Sequence, residues 1–273
     1  MVWENFIGYL FKAAVTVVIF TSSTVAAQAA ICGNTSSGFN AWKAAFASEA
    51  KRAGVGQRGI QALASSQYAS KTIAADRNQK SFKYSLDKFM KVRGAATIVS
   101  QGRKRKAKNS SFFEALERQY GVPAGVIIAI HGMETGFGRF MGDSRIVSAI
   151  TTLAYDCRRS AFFVPHAIGA LKLVDKGAID SSTKGAKHGE LGHTKFLPGN
   201  ALKYGIDANR DGRVNFYTEA DALASTANFL RQKGWKPSAG FQEGQTNFKI
   251  IKQWNAAGVY QKAIAIMGAQ IDG

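Results

Sequence analysis

Ala124-Gly125-Val126-Ile127-Ile128-Ala129-Ile130-His131-Gly132-Met133-Glu134-Thr135-Gly136-Phe137-Gly138-Arg139 is the stretch that organises this 273-residue chain. Residues 124–133 are almost wholly apolar, and a helix that is apolar all round belongs in a core. Gly121-Val122-Pro123 separates it from an amphipathic helix over Phe112–Tyr120, and Pro123 suits the start of the helix that follows. Glu134 comes directly after the apolar run. Burial penalises the charged form of a carboxyl, so a glutamate here is held protonated beyond its usual range. A carboxyl still protonated near neutral pH is what a general acid requires. Gly136 and Gly138 would let a bulky ligand approach the backbone closely. The competing reading is a helix-end glutamate paired with Arg139.

Working outward, Phe39, Trp42, Phe46 and Ala50 recur at helical spacing, followed by Ile60, Leu63 and Ala64. The pattern predicts further helices over 164–177, 221–233 and 247–269, with a glycine-rich polar loop over 178–200. Alternating apolar and polar runs are few, so the expected fold class is mainly α. Hydrophobic residues make up 46% and proline only 4 positions, which excludes a disordered chain, and the 28 glycines have no period, which excludes collagen.

There are 36 Lys and Arg against 18 Asp and Glu, a formal net charge of +18. Such a balance calls for an anionic partner: nucleic acid, an anionic membrane surface touched peripherally, or an acidic polymer. Residues 71–108 hold twelve of the basic residues against Asp76 and Asp87, a net +10, with Phe82, Tyr84 and Phe89 interleaved. No nucleic-acid recognition motif accompanies them.

Residues 1–30 read as an export signal. Lys12 precedes the apolar run 13–20, and Val25-Ala26-Ala27-Gln28-Ala29-Ala30 offers Ala-x-Ala cleavage sites. The run is shorter than a transmembrane helix needs, although an uncleaved anchor stays open as the alternative. Cys32 and Cys157 then read as a disulfide, the usual state of an even pair in an exported protein. The alternative is a lipid on Cys32, though Ile31 is larger than the small residue such sites want.

The segment Ile130–Arg139 resembles the catalytic signature of the lytic murein transglycosylase B family. The resemblance continues through Met141-Gly142, Leu153-Ala154-Tyr155-Asp156, Arg158-Arg159 to Phe163, Gly189-Glu190-Leu191-Gly192, Phe196-Leu197-Pro198, a 207–221 loop, Asn228–Trp235, Trp254-Asn255 and Tyr260. It spans about residues 36–270. It implies a lysozyme-like catalytic domain over 111–273, with a strongly basic helical part over 31–110 packed on the core. It also implies cleavage of the β-1,4 bond between N-acetylmuramic acid and N-acetylglucosamine, leaving 1,6-anhydromuramic ends. Glu134 would act first as acid, then as base, and no cofactor would be needed for catalysis. The implied partner is the peptidoglycan strand, with no specific nucleic acid; the implied setting is the periplasm of a monomeric enzyme. Arg158, Arg159, Phe162, Lys195, Phe196 and Asn255 are the expected substrate-binding positions. Asp156 is read as structural, neutralised by nearby basic groups.

Asp207-x-Asn209-x-Asp211-Gly212-Arg213 resembles the start of an EF-hand, with oxygen ligands at alternate positions and a glycine at the sharp turn. Thr218 stands at position 12, so Asp221 is the expected closing ligand and Glu219 its competitor. The expected ion is a structural Ca²⁺ or Na⁺. Against the family pattern, Lys195 replaces a usual Gln, Ala186-Lys187-His188 replaces Ser-aromatic-Ala, His131 replaces Trp and Phe162 replaces Tyr. Lys195 either lowers the pKa of Glu134 and weakens it, or points outward to a lactyl or stem-peptide carboxylate. The weakened case would leave a binding or scaffolding protein of the same fold.

Overall fold

The computed structural model describes residues 30–78 and 83–273. The expected export signal, with Lys80 and Phe82 of the basic region, lies outside those residues. The described chain is mainly helical, with a single two-stranded antiparallel sheet, β1 (Ser144–Arg145) against β2 (Lys184–Gly185).

The apolar stretch forms α7 (Ala124–Thr135), in which every residue from Ala124 to Met133 is buried. Pro123 is extended and immediately precedes it. Gly136 ends it in the left-handed conformation at φ 57°, where its N–H caps the carbonyls of His131 and Gly132. Four helices pack on α7: α5 (Ala95–Lys108), α6 (Ser110–Tyr120), α11 (Glu219–Gln232) and α13 (Gly258–Asp272). The approach of α13 is closest. A Cβ on Gly125 would fall 2.1 Å from the Gly268 carbonyl oxygen, so the two backbones meet with no side chain between them.

A second layer joins α8 (Ile146–Tyr155) and α9 (Ser160–Asp175) to α1 (Phe39–Arg52), α2 (Gln57–Ser65), α3 (Ser70–Arg77) and α10 (Pro198–Tyr204). One buried apolar cluster runs through both layers, from Phe39 to Ile271. The short helices α4 (Leu86–Val92) and α12 (Phe248–Trp254) pack against α13. No helix among the described residues is long and apolar enough to cross a membrane.

The N-terminal segment is strapped to the end of α8. Cys32 and Cys157 form a disulfide, Gly33 N–H donates to the Tyr155 carbonyl at 3.0 Å, and the Tyr155 hydroxyl donates to the Thr35 carbonyl at 2.9 Å. The disulfide consumes Cys32, so the lipid alternative falls.

Two helix boundaries differ from the periodicity. The helix expected at 164–177 begins at Ser160. The continuous helix expected over 247–269 is two helices, broken at Asn255-Ala256-Ala257, where Asn255 turns extended. Apolar spacing persists across the break, which is why periodicity does not reveal it.

Candidate active site

The break between α12 and α13 aims two side chains at one carboxylate. Tyr260 Oη donates to Glu134 Oε1 at 2.7 Å and Trp254 Nε1 donates to the same oxygen at 3.3 Å. The Trp254 ring is held edge-on by Phe196 and Phe229, at 5.1 and 5.3 Å between centroids. Glu134 is half-buried in the wall of a groove of about 710 Å³. Burial pushes its carboxyl above the usual carboxylate range. The Lys195 charge and the two hydrogen bonds pull against this, and the nearby Glu190 charge adds to it; the net direction is upward. Burial, with the adjacent Glu134, pushes the Tyr260 phenol well above its usual range, so it remains a donor. Arg139 donates instead to the Gly136 carbonyl and to Gln101, so the Glu134–Arg139 pair does not form.

The segment between β2 and α10 forms the facing wall. Leu191 and Phe196 bridge each other, and Lys195 closes the turn with φ 52°, a left-handed conformation that costs a side-chain-bearing residue energy. Thr135 ties this segment to α7: its Oγ1 donates to the His193 carbonyl at 2.6 Å and accepts from Gly138 N–H at 2.9 Å. Glu190 also lines the groove. Burial works to raise its pKa, but its hydrogen bond and charge interactions with His188, helped by Lys195, outweigh this and hold it below the usual range. The groove thus holds one carboxyl biased toward the proton and one biased toward ionisation, a division of labour typical of acid–base sites. Glu190 was not singled out from sequence.

The expected substrate-binding residues separate into two groups. Arg159, Phe162, Lys195 and Asn255 line the groove. Lys195, Phe196 and Asn255, with Glu134 and Glu190, line an adjoining pocket of about 150 Å³. Phe162 is 51% exposed at the rim, against Phe163. Arg158 does not line the groove: with Arg159 it ion-pairs with the buried Asp76. Asp156 takes its charge partner from elsewhere, Arg77 at 2.6 Å, and accepts from Arg158 N–H at 3.0 Å. The buried Asp76 is a second residue the sequence reading missed; it appeared only as one of two acids in a basic run.

In the 207–221 loop the side-chain oxygens take N–H partners from the loop's own backbone. Asp207 accepts from Asp211 and Gly212 N–H, Asn209 Oδ1 from Asp211 N–H, and Asp211 from Arg213 N–H. Asp221 is fully buried beneath them and accepts from Ala208, Asn209 and Asn215 N–H. Oxygen donors of this kind are those a hard cation takes, but Asp207, Asp211 and Asp221 do not stand as a metal-ligand cluster among the described residues. Glu219 is not part of this oxygen set, because it ion-pairs with Arg105 at 3.2 Å.

His131, His193 and Glu219 form a group with metal-ligand composition. His131 Nε2 and His193 Nδ1 lie 3.0 Å apart, and burial drops the His131 pKa to about 3, so its ring is neutral. Arg105 already engages the Glu219 carboxylate, which leaves a hydrogen-bonded histidine pair beside an ion pair. Other charges of the basic run are also occupied. Arg103 donates to the Gln270 carbonyl and Lys106 pairs with Asp272.

A helix-end carboxyl in a sugar-sized groove, on a mainly helical frame, defines a lysozyme-like class of site. The chain belongs to the transglycosylase SLT domain family, which matches residues 38–244. Over 131 residues it is 33% identical to the membrane-bound lytic murein transglycosylase B of Escherichia coli K12, covering 46% of this chain and 36% of that relative's length. Its fold matches SltB3 of Pseudomonas aeruginosa, solved with NAG-anhNAM-pentapeptide, with a TM-score of 0.77 at 24% identity, covering 86% of this chain and 80% of that one. It also matches the E. coli lytic transglycosylase Slt35, solved with calcium, with a TM-score of 0.73 at 21% identity, covering 89% and 96%.

Proposed function

We propose that this chain is a peptidoglycan lytic transglycosylase of the cell envelope, exported to the periplasm. It cleaves the MurNAc-β-1,4-GlcNAc bond. Glu134 passes its proton to the glycosidic oxygen as that oxygen leaves C1 of the muramic sugar. The C6 hydroxyl of the same sugar then bonds to C1, and the Glu134 carboxylate takes the hydroxyl proton. No water is consumed, and the reacting hydroxyl gains from being intramolecular.

The observation that carries this reading is the environment of Glu134. Both of its hydrogen bonds fall on Oε1, from Tyr260 and Trp254, which leaves Oε2 to the substrate. Burial keeps its pKa raised even against Lys195, which favours an active acid over the scaffolding alternative. Asp207, Asn209, Asp211, the Arg213 carbonyl and Asp221 would hold Ca²⁺ as a brace for the loop before α11.

Mass spectrometry of digests of purified sacculi tests the reaction. Anhydro-muropeptides are expected from the wild type and none above background from Glu134→Gln. Retained wild-type activity in that variant removes Glu134 from the mechanism. Binding to sacculi without anhydro products selects the scaffold.

A further inference from the structure

Lys195 is the anomalous cation of the groove. Arg159 is committed to Asp76, and Arg93 donates to Met133. Lys187 is exposed to water. Lys195 is half-buried, yet among the described residues its ammonium has no hydrogen bond and no ion pair. Glu190, an acid of the same groove, takes its contacts from His188, whose N–H donates at 3.1 Å and whose ring nitrogen lies 3.5 Å away. With no protein acceptor, its ammonium is left to water and is free to take an anionic ligand group entering the groove. Lys195 also sits on left-handed backbone at φ 52°, a local cost at this position. It lines both the groove and the adjoining pocket, each time together with Glu134.

We propose that Lys195 is the receptor for a free carboxylate of the muramic residue or its peptide stem, and that filling this subsite switches on Glu134. The proposal rests on the transglycosylase reading and deepens it by naming the substrate feature the site selects. The coupling is electrostatic. The Lys195 charge opposes the protonation of Glu134. A bound carboxylate cancels that charge and lets burial raise the acid further. A strand without the carboxylate meets the same acid with a weaker hold on its proton.

Other charges face Glu134 and stay constant in this comparison. Tyr260 comes from α13, and Glu190 and His188 from the opposite wall. Arg93, Asp143, Arg159 and Lys187 line the same groove, Arg93 beside Met133.

Four glycan preparations test the proposal: strands with the lactyl carboxylate free, the same strands with it converted to a methylamide, peptide-bearing strands with stem carboxylates free, and the same peptide-bearing strands with them amidated. Steady-state rates are measured for the wild type, Lys195→Gln and Lys195→Arg. Calorimetric binding of the same strands to Glu134→Gln runs in parallel. The wild type should favour a carboxylate over its amide by about tenfold or more in kcat/KM, with part of the effect in kcat. Lys195→Arg should keep the preference. Lys195→Gln should lose it and shift the alkaline limb of its pH profile upward. A lactyl-dependent preference identifies that group; one that vanishes only on stem amidation identifies the stem. Equal handling of acid and amide by the wild type, or a preference that survives in Lys195→Gln, overturns the proposal. Carboxylate-selective binding without cleavage would keep the subsite but remove both the transglycosylase reading and the switch.

Discussion

Tyr260 and Glu134 are 126 positions apart in the chain, yet the phenol hydroxyl sits 2.7 Å from the acid's Oε1. This hydrogen bond favours the ionised acid, and so would serve the half of the proposed reaction in which Glu134 takes a proton back. Tyr260→Phe should lower kcat by about 10–100-fold. Because the lost bond had pulled the pKa of Glu134 down, the alkaline limb of kcat/KM should move to higher pH. Stopped assays across pH 4–9 on soluble glycan strands would read both effects; an unmoved limb argues against the assignment.

Asp76 gathers Arg158 and Arg159 beneath the groove wall. Asp76→Ala would leave two guanidiniums together without their counter-charge. Since both are partly exposed, the expected loss is about 2–3 kcal/mol, below that of a fully buried pair. Urea unfolding of the variant measures it. Asp76→Asn should recover part of the loss through its remaining hydrogen-bond acceptor.

Acid should destabilise the fold through two histidines. Burial lowers His131 to about 3 and His166 to about 4, from an ordinary 6.5. A base whose folded pKa is depressed contributes its full stability above its unfolded pKa, and loses it as pH falls toward the folded value. Stability should therefore be flat above about pH 6.5 and decline below it, by about 1.4 kcal/mol per pH unit for each histidine not yet protonated in the fold. His131→Phe should flatten the slope of melting temperature between pH 6 and 4. An unchanged slope would show that the ring is not held neutral.

Calcium should stabilise the loop before α11. At ten times its dissociation constant the ion adds about 1.4 kcal/mol, a rise of a few degrees in Tm for a chain of this size. Asp207→Ala and Asp221→Asn should abolish the rise. No shift at millimolar Ca²⁺ in the wild type removes the ion from the loop.

Reduction should loosen the N-terminal strap. The Cys32–Cys157 bond spans 125 positions, and in the chain-entropy treatment such a closure contributes about 4–5 kcal/mol. Cys32→Ser with Cys157→Ser should lower Tm and make the segment before α1 the first site of proteolysis.

The mainly helical class and the place of Glu134 at the end of a buried helix were legible because both are local. An all-apolar run followed by Glu134 and two glycines carries its own periodicity and punctuation, and the family resemblance rests on that same segment. What was not legible is pairing across the chain. Asp156 lies beside Arg158 in sequence, yet it pairs with Arg77, while the two arginines reach Asp76. Asp221 was the expected closing ligand of one loop and Glu219 its competitor. Two residues along a helix turn the side chain to a different face, so Asp221 points under the loop and Glu219 points to Arg105. Glu190 looked like part of a glycine-bounded turn, and only the fold shows that this turn faces Glu134. The α12–α13 break was hidden because both helices bury apolar faces on one core.

The glycine contact between α7 and α13 has a mechanical consequence. Gly125 touches Gly268 near one end of the pair, and Glu134 meets Tyr260 near the other. The stretch between these two points is about 12–14 Å on either helix, at 1.5 Å per residue. The two helices therefore act as a matched pair of rulers fixed at both ends. Deleting one residue of α13 between 260 and 268 would swing Tyr260 about 100° around the helix axis. The acid would lose its partner through a change made nowhere near the groove.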